Sequence, residues 1–411
     1  MTNILIINTN CSWNKGSAAQ VVSTIEILKK FIPQASFTMI SWIPSLDIKY
    51  SSRYNLKIIG YFGQTAFEPL IYAYHIFLSL IRCTLWKMLS KLKINANSLL
   101  NEKYLKAYSN TDIILDLSGD SLADNNLVTI LNCIGILPGI LLRKPIVLFS
   151  QSIGPFNMLN YPLVKFCLNN VNLITARGKL TKKYLENISI KAPIFLVADC
   201  AFILKSASHK RVKEILYHEG IKKEDYPLIG ISVSVILDRK NNNYVNIMSQ
   251  TIDYLIQKIN VQIILISHSF LDTKDDRCVA NKIYETTVNK SKIILIKNEY
   301  LTEELKGIIG LCDIFIGARM HTSIAALSIC IPTIVIAWSP KYYEIMASLG
   351  QEKYICNINT LKFQELTSKI EELWHNRSKI RTELTSKMRI QRKLALFGGK
   401  LVEEKLRRRE M

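Results

Sequence analysis

Runs of four to seven apolar residues, rich in Ile, Leu and Val, recur along the chain and alternate with stretches of helical apolar spacing. The runs are continuous rather than alternating, which predicts strands buried on both faces, as in parallel sheets built from βα units. In the first half the expected strands are Ile4–Ile7, Ser36–Ile40, Ile113–Leu117, Ile146–Phe149, Leu173–Ala176 and Ile194–Val197. In the second half they are Leu228–Ser232, Val261–Ser267, Ile293–Ile296, Ile314–Ile316, Thr333–Ile336 and Tyr354–Cys356. Twelve strands are too many for one sheet of usual size. The pattern therefore predicts an α/β chain of two doubly wound, Rossmann-like domains, residues 1–205 and 206–375. The polar stretch that opens at Ser206 and carries no strand signal divides them. A last helical stretch is expected from Thr360 to Leu394, crossing back over the first domain, with residues 376–411 as a basic helix or tail.

Composition narrows the class. An apolar content of 49% with 21% charged residues describes a globular chain, and 411 residues suit two domains. The formal charge of +20 favours acidic partners. It is uneven: Lys379 to the C-terminus holds eleven Lys or Arg against four Glu, and Arg53–Lys106 holds eight against two. A nucleic-acid groove would interleave cations with exposed aromatics, so no nucleic-acid partner is expected. Nine scattered cysteines without a Cys-x-x-Cys pair argue for a reducing compartment, and the opening Asn-Ile-Leu-Ile-Ile-Asn reads as a strand, not a leader. A cytoplasmic location follows as an expectation. Cys133, Cys167 and Cys330 read as small core hydrophobes.

Pro69–Leu92 raises the question of a membrane. Leu70–Ile81 is apolar but short of the roughly 20 residues a span needs. Tyr72, Tyr74, Phe77 and Trp86 beside Arg82, Lys87 and Lys91 suit an interfacial helix, a peripheral contact with an anionic membrane. A helix packed on its own domain fits the pattern equally.

The residues suited to chemistry follow the predicted strands, at the edge where open α/β sheets bind ligands. Ile314–Ile316 runs into Gly317-Ala-Arg-Met-His, which puts Arg319 and His321 at a strand-to-helix junction. There backbone N–H groups and a guanidinium fork suit an anion, and an imidazole can move a proton. Lys341 follows the next strand, and His268 and Arg177 follow others. Asn14, Gly16 and Ser17 form a turn after the first strand, with Ser17 as the expected hydroxyl cap of the helix. Asp116, Asp120 and Asp124 are candidate bases or turn residues, and Gln151 and Ser152 could bind a hydroxylated ligand. No Gly-x-Gly-x-x-Gly or Walker pattern occurs, and metal binding is not indicated.

Together, Asn14-Lys-Gly-Ser-Ala-Ala, Leu117-Ser-Gly-Asp with Asp124, Gln151-Ser-Ile-Gly-Pro155, Ala176-Arg177, Asp199-Cys-Ala-Phe202, Gly317-Ala-Arg-Met-His-Thr and Lys341 resemble the polysaccharide pyruvyl transferase family. The resemblance implies a GT-B-like fold with an interdomain cleft, an acceptor-side first domain and a donor-binding second domain. It also implies transfer of pyruvate from phosphoenolpyruvate to two hydroxyls of a glycan or lipid-linked sugar, without a cofactor. Arg319, His321 and Lys341 would bind the donor, with Arg177 and His268 as further donor-side groups. His321 is the expected acid, Asp116 or Asp120 the base, and Asn14, Gly16, Ser17 and Gln151 the acceptor contacts. Arg319→Ala is expected to abolish transfer and leave the fold intact. Two departures stand out: Ser17 where many relatives carry an acid, and Ser118-Gly119 where they carry Gly-Gly. The competing reading is a GT-B nucleotide-sugar glycosyltransferase, for which Glu344 would be the ribose carboxylate.

Overall fold

The computed structural model describes residues 2–60, 69–123, 126–156, 159–221 and 226–410. Among them the chain divides into two compact units. The first comprises Met1–Ser12, Gln20–Cys200 and Lys393–Met411, and the second Trp13–Ala19 and Ala201–Arg392.

The first unit is built on a seven-stranded parallel sheet. Its strands are β1 (Asn3–Thr9), β2 (Ser36–Ser41), β3 (Leu56–Gly60), β4 (Ile113–Asp116), β5 (Ile146–Gln151), β6 (Leu173–Ala176) and β7 (Ile194–Leu196). They are ordered β3-β2-β1-β4-β5-β6-β7, so the winding reverses between β1 and β4 and opens a crevice beyond their carboxyl ends. The central strands β4, β5 and β6 are buried at every position, which is why they read as unbroken apolar runs. β3 was not expected. Its Leu-Lys-Ile-Ile-Gly sequence carries a lysine and lies at the sheet edge with only Leu56 buried, so it lacks the signal of its neighbours.

The second unit carries a six-stranded parallel sheet: β8 (Leu228–Ser232), β9 (Gln262–Ile266), β10 (Ile293–Leu295), β11 (Ile314–Gly317), β12 (Thr333–Ala337) and β13 (Ile355–Asn357). Its order is β10-β9-β8-β11-β12-β13, with the reversal between β8 and β11.

The final helix runs unbroken from Phe363 to Glu410, sixteen residues past the expected end. Gly398 and Gly399 lie inside it because its last turns press on the first unit: a Cβ at Gly398 would stand 3.2 Å from the Phe149 ring. Cys133 and Cys167 are core residues as expected, but Cys330 is half-buried in a left-handed turn (φ 61°).

Candidate functional site

The richest cluster of charged groups in the second unit surrounds Asp276, at the switch point of its sheet. Arg319 is the last residue before the helix Met320–Ser328 and keeps an extended backbone. The turn is held from below. Ser232, at the end of β8, accepts a hydrogen bond from the Ala318 N–H at 2.9 Å, and its hydroxyl lies 2.7 Å from that of Thr322. Thr322 donates its own proton to the Arg319 carbonyl, so Ser232 is the donor to Thr322.

Arg319 extends its fork to Asp276: Nε donates to Oδ2 at 3.0 Å and Nη2 donates to Oδ1. Asp276 also accepts from the backbone N–H groups of Val235, His268 and Ser269 at 3.1–3.3 Å. It is fully buried. Desolvation pushes its carboxyl up, while Arg319 and the N–H donors oppose that shift. One edge of the guanidinium is thereby spent, so Arg319 is a charge-paired, tightly oriented group. The sequence pointed to Arg319 as an anion-binding fork, and did not identify Asp276 as its partner. It missed Asp276 because Asp275-Asp276 falls in a polar stretch that reads as ordinary loop.

Trp13–Ala19 lies across this cluster. Asn14 and Ser269 form an isolated antiparallel bridge, the Lys15 N–H donates to the His268 carbonyl at 3.1 Å, and the Phe270 N–H donates to Trp13 O at 3.0 Å. These bonds attach to the second unit a segment that reads, by sequence position, as part of the first domain. Asn14 Oδ1 accepts from the N–H groups of Gly16 and Ser17 at 3.0 and 3.4 Å. Asn14, not Ser17, therefore caps the helix Lys15–Phe31. Gly16 has a steric reason to be glycine, since a Cβ there would fall 2.5 Å from His321 Nδ1. Lys15 is almost wholly buried, its ammonium 2.6 Å from Glu299 and 5.2 Å above the Phe270 ring.

His268 is buried beside these groups. Desolvation, and then the positive fields of His321, Arg319 and Lys15, drive its pKa well below 6.5, so it is neutral at physiological pH. Lys341 opens the next helix, Pro340–Leu349, and lies half-buried with its ammonium 4.7 Å above the Trp338 ring. Burial pulls its pKa down to about 7. Its neighbour Tyr342 ties that helix to the arginine loop by donating to the Ala318 carbonyl at 3.3 Å.

The first unit has its own polar network, at the ends of β1, β4 and β5. Asp116 accepts from Asn8 Nδ2 (2.6 Å), the Ser118 N–H (2.8 Å) and Gln151 Nε2 (2.6 Å). Gln151 also donates to the Asp116 carbonyl at 2.7 Å and accepts from the Ser118 hydroxyl at 2.9 Å. Both ends of its buried amide are thus committed to holding this turn. Asp116 is fully buried; burial raises its pKa against the pull of neutral donors alone. Asp120 is half-buried in the turn that follows Gly119, whose φ of 69° requires glycine. Asp124 lies outside the described residues. Arg177 is paired with Asp199 at 2.7 Å and donates from Nε to Ser152 at 2.8 Å. It belongs to the first unit. Asp199, its counter-ion, went unnoticed as such because only proximity reveals the pairing.

Comparison with known proteins bears on both units. A family model described as polysaccharide pyruvyl transferase matches residues 14–340. The amylovoran biosynthesis protein AmsJ of Erwinia amylovora is 21% identical over 281 residues, 66% of this chain and 67% of that protein. Among solved structures, UDP-GlcNAc 2-epimerase from Neisseria meningitidis aligns with a TM-score of 0.63 at 12% identity, covering 99% of this chain and 100% of the other. A glycosyltransferase from Rickettsia africae aligns at 0.57 and 13% identity, covering 98% of each chain. Identities this low speak for the fold alone: two parallel-sheet α/β units of the GT-B kind.

Proposed function

The chain belongs to the polysaccharide pyruvyl transferase family, and on that premise we propose that it moves a pyruvyl group from phosphoenolpyruvate onto two hydroxyls of a sugar. The product is a cyclic ketal on a surface glycan or its lipid-linked precursor, with release of phosphate. The observation that carries this reading is the cluster around Asp276: an oriented arginine, a histidine against a glycine turn and a neutral buried histidine, with Lys341 of lowered pKa opening the helix after the next strand. The likeness to AmsJ, named for amylovoran biosynthesis, supports a polysaccharide context. A lipid-linked acceptor would also bring the enzyme to a membrane surface, the peripheral contact expected of Pro69–Leu92.

The donor carries a carboxylate and a phosphate on three carbons, so it needs converging donors. Arg319 and Lys341 supply them. A dianion beside Lys341 restores the ammonium that burial disfavours. His321 delivers a proton to the methylene carbon, which becomes the methyl group, as the first hydroxyl adds to the adjacent carbon. The second hydroxyl then displaces phosphate, so two C–O bonds form while one breaks and the C=C bond is consumed. One hydroxyl proton balances the proton given to carbon and the other leaves with phosphate. Asp120, of the Leu117-Ser-Gly-Asp segment, is the base in this reading. His268, held neutral, keeps the cluster from accumulating charge.

The test is incubation with labelled phosphoenolpyruvate or labelled nucleotide sugars and a glycan acceptor, followed by mass spectrometry for an acid-labile pyruvyl adduct. The adduct should form from phosphoenolpyruvate alone and fall by roughly 10²–10⁴-fold in His321→Gln. Transfer from a nucleotide sugar, or full activity in that variant, would overturn the assignment. Arg319→Ala is a poorer probe than the sequence suggests, because it strands a buried carboxylate. Arg319→Lys, which keeps a charge opposite Asp276, tests the fork itself.

A further inference from the structure

The helix Pro69–Lys91 of the first unit is apolar on two sides. One side, through Ile76, Ser79 and Cys83 with Leu80 and Trp86, packs into the unit's core. Trp86 therefore does not join the outer face, as its sequence position suggested; its indole N–H turns to Asn97 Oδ1 at 3.2 Å. The side chain of Tyr72 lies outside the described residues. The opposite side exposes Tyr74 (61%), Phe77 (62%), Ile81 (39%), Leu85 (45%), Met88 (59%) and, just past its end, Leu92 (69%). At 100° per residue these six fall within a sector about 80° wide. A helix packed only on its own domain would carry polar residues there.

The charges flanking this stripe identify its partner. Arg82 projects on one flank and Lys87 and Lys91 on the other, each about 80–120° from the stripe's centre, with Lys93 beyond the end. No Asp or Glu occurs from Pro69 to Asn101, and Arg82 pairs with Glu102 at 2.7 Å. Long basic side chains beside an apolar stripe reach headgroups while their stems lie along the acyl boundary. A second copy of the chain fits poorly, because pairing two such stripes brings like cations together on both flanks.

We propose that this exposed face docks in the plane of an anionic lipid surface, with Phe77, Leu85 and Met88 entering the acyl boundary and Lys87 and Lys91 contacting acidic headgroups. It lies flat rather than spanning: among the described residues no helix is long and apolar enough to cross a membrane. The inference deepens the reading of a lipid-linked acceptor but does not depend on the chemistry at Arg319.

The experiment is co-sedimentation of the full chain with vesicles of equal parts phosphatidylglycerol and phosphatidylcholine, against phosphatidylcholine alone. The chain should partition onto the anionic vesicles, with retention falling about tenfold or more in Phe77→Glu/Leu85→Glu/Met88→Glu and in Lys87→Glu/Lys91→Glu. Phe77, Leu85, Met88 and Lys91 are exposed and Lys87 is half-buried, so thermal melts and transfer to a water-soluble acceptor should stay close to the parent's. Equal retention on neutral vesicles, no retention, or undiminished retention in the variants would overturn the proposal. So would a dimer, seen by sedimentation velocity, that the triple variant dissociates. If no acceptor of any kind is pyruvylated while vesicle binding persists, the catalytic reading fails and this one stands.

Discussion

Asp276 shows how a single buried carboxylate can determine what a neighbouring arginine is for. Five donors converge on it, and removing its charge leaves Arg319 unpaired in a buried turn. Asp276→Asn should therefore destabilise the second unit by about 3–5 kcal/mol, measurable as a lowered denaturation midpoint. His268 adds a pH term. Its native pKa lies below the 6.5 of the free side chain, so the unfolded chain binds the proton more readily. Stability from this group is complete above pH 6.5 and is lost progressively as pH falls below it. In His268→Gln the melting temperature should decline less steeply over the same acid range. Lys341 acts in the other direction. With a pKa near 7 in the ligand-free protein, it loses its charge as pH rises, so KM for the anionic donor should climb above neutrality and flatten in Lys341→Arg. Arg319, His321 and Lys341 were legible because each follows a strand that the apolar pattern marks. Asp276 and Asp199 were not, because what distinguishes them is their partner, 43 and 22 positions away.

At the scale of elements, the pattern of apolar runs located twelve strands, most plainly the central ones β4, β5, β6, β8, β9, β11 and β12, which are buried at every position. It failed at β3, where an edge strand needs only one buried residue. Helix ends were less legible still. Ser17 looked like a cap because serine favours that position, yet Asn14 takes it by accepting from two successive N–H groups. The final helix runs on past Leu394 through two glycines that pack closely on Phe149, Ile27 and Phe31. The turn at Gly16 gives the sharpest test at this scale. Gly16→Ala places a methyl group against the His321 ring and should lower kcat while leaving KM and the thermal midpoint close to the parent's. A parallel loss of stability would show instead that the turn, not the imidazole, had been disturbed.

For the whole molecule, two doubly wound sheets were readable from strand number alone, whereas the allegiance of Trp13–Ala19 was not. That segment follows β1 of the first unit in sequence but makes its hydrogen bonds with Ser269, His268 and Phe270. Lys15 finds its counter-ion 284 positions downstream. The second unit is thus discontinuous, and a fragment spanning residues 201–392 lacks the peptide that seats both histidines. During synthesis, that lysine would emerge from the ribosome long before Glu299 exists to receive it. The ion pair that anchors the start of the helix Lys15–Phe31 therefore waits on the synthesis of much of the second unit.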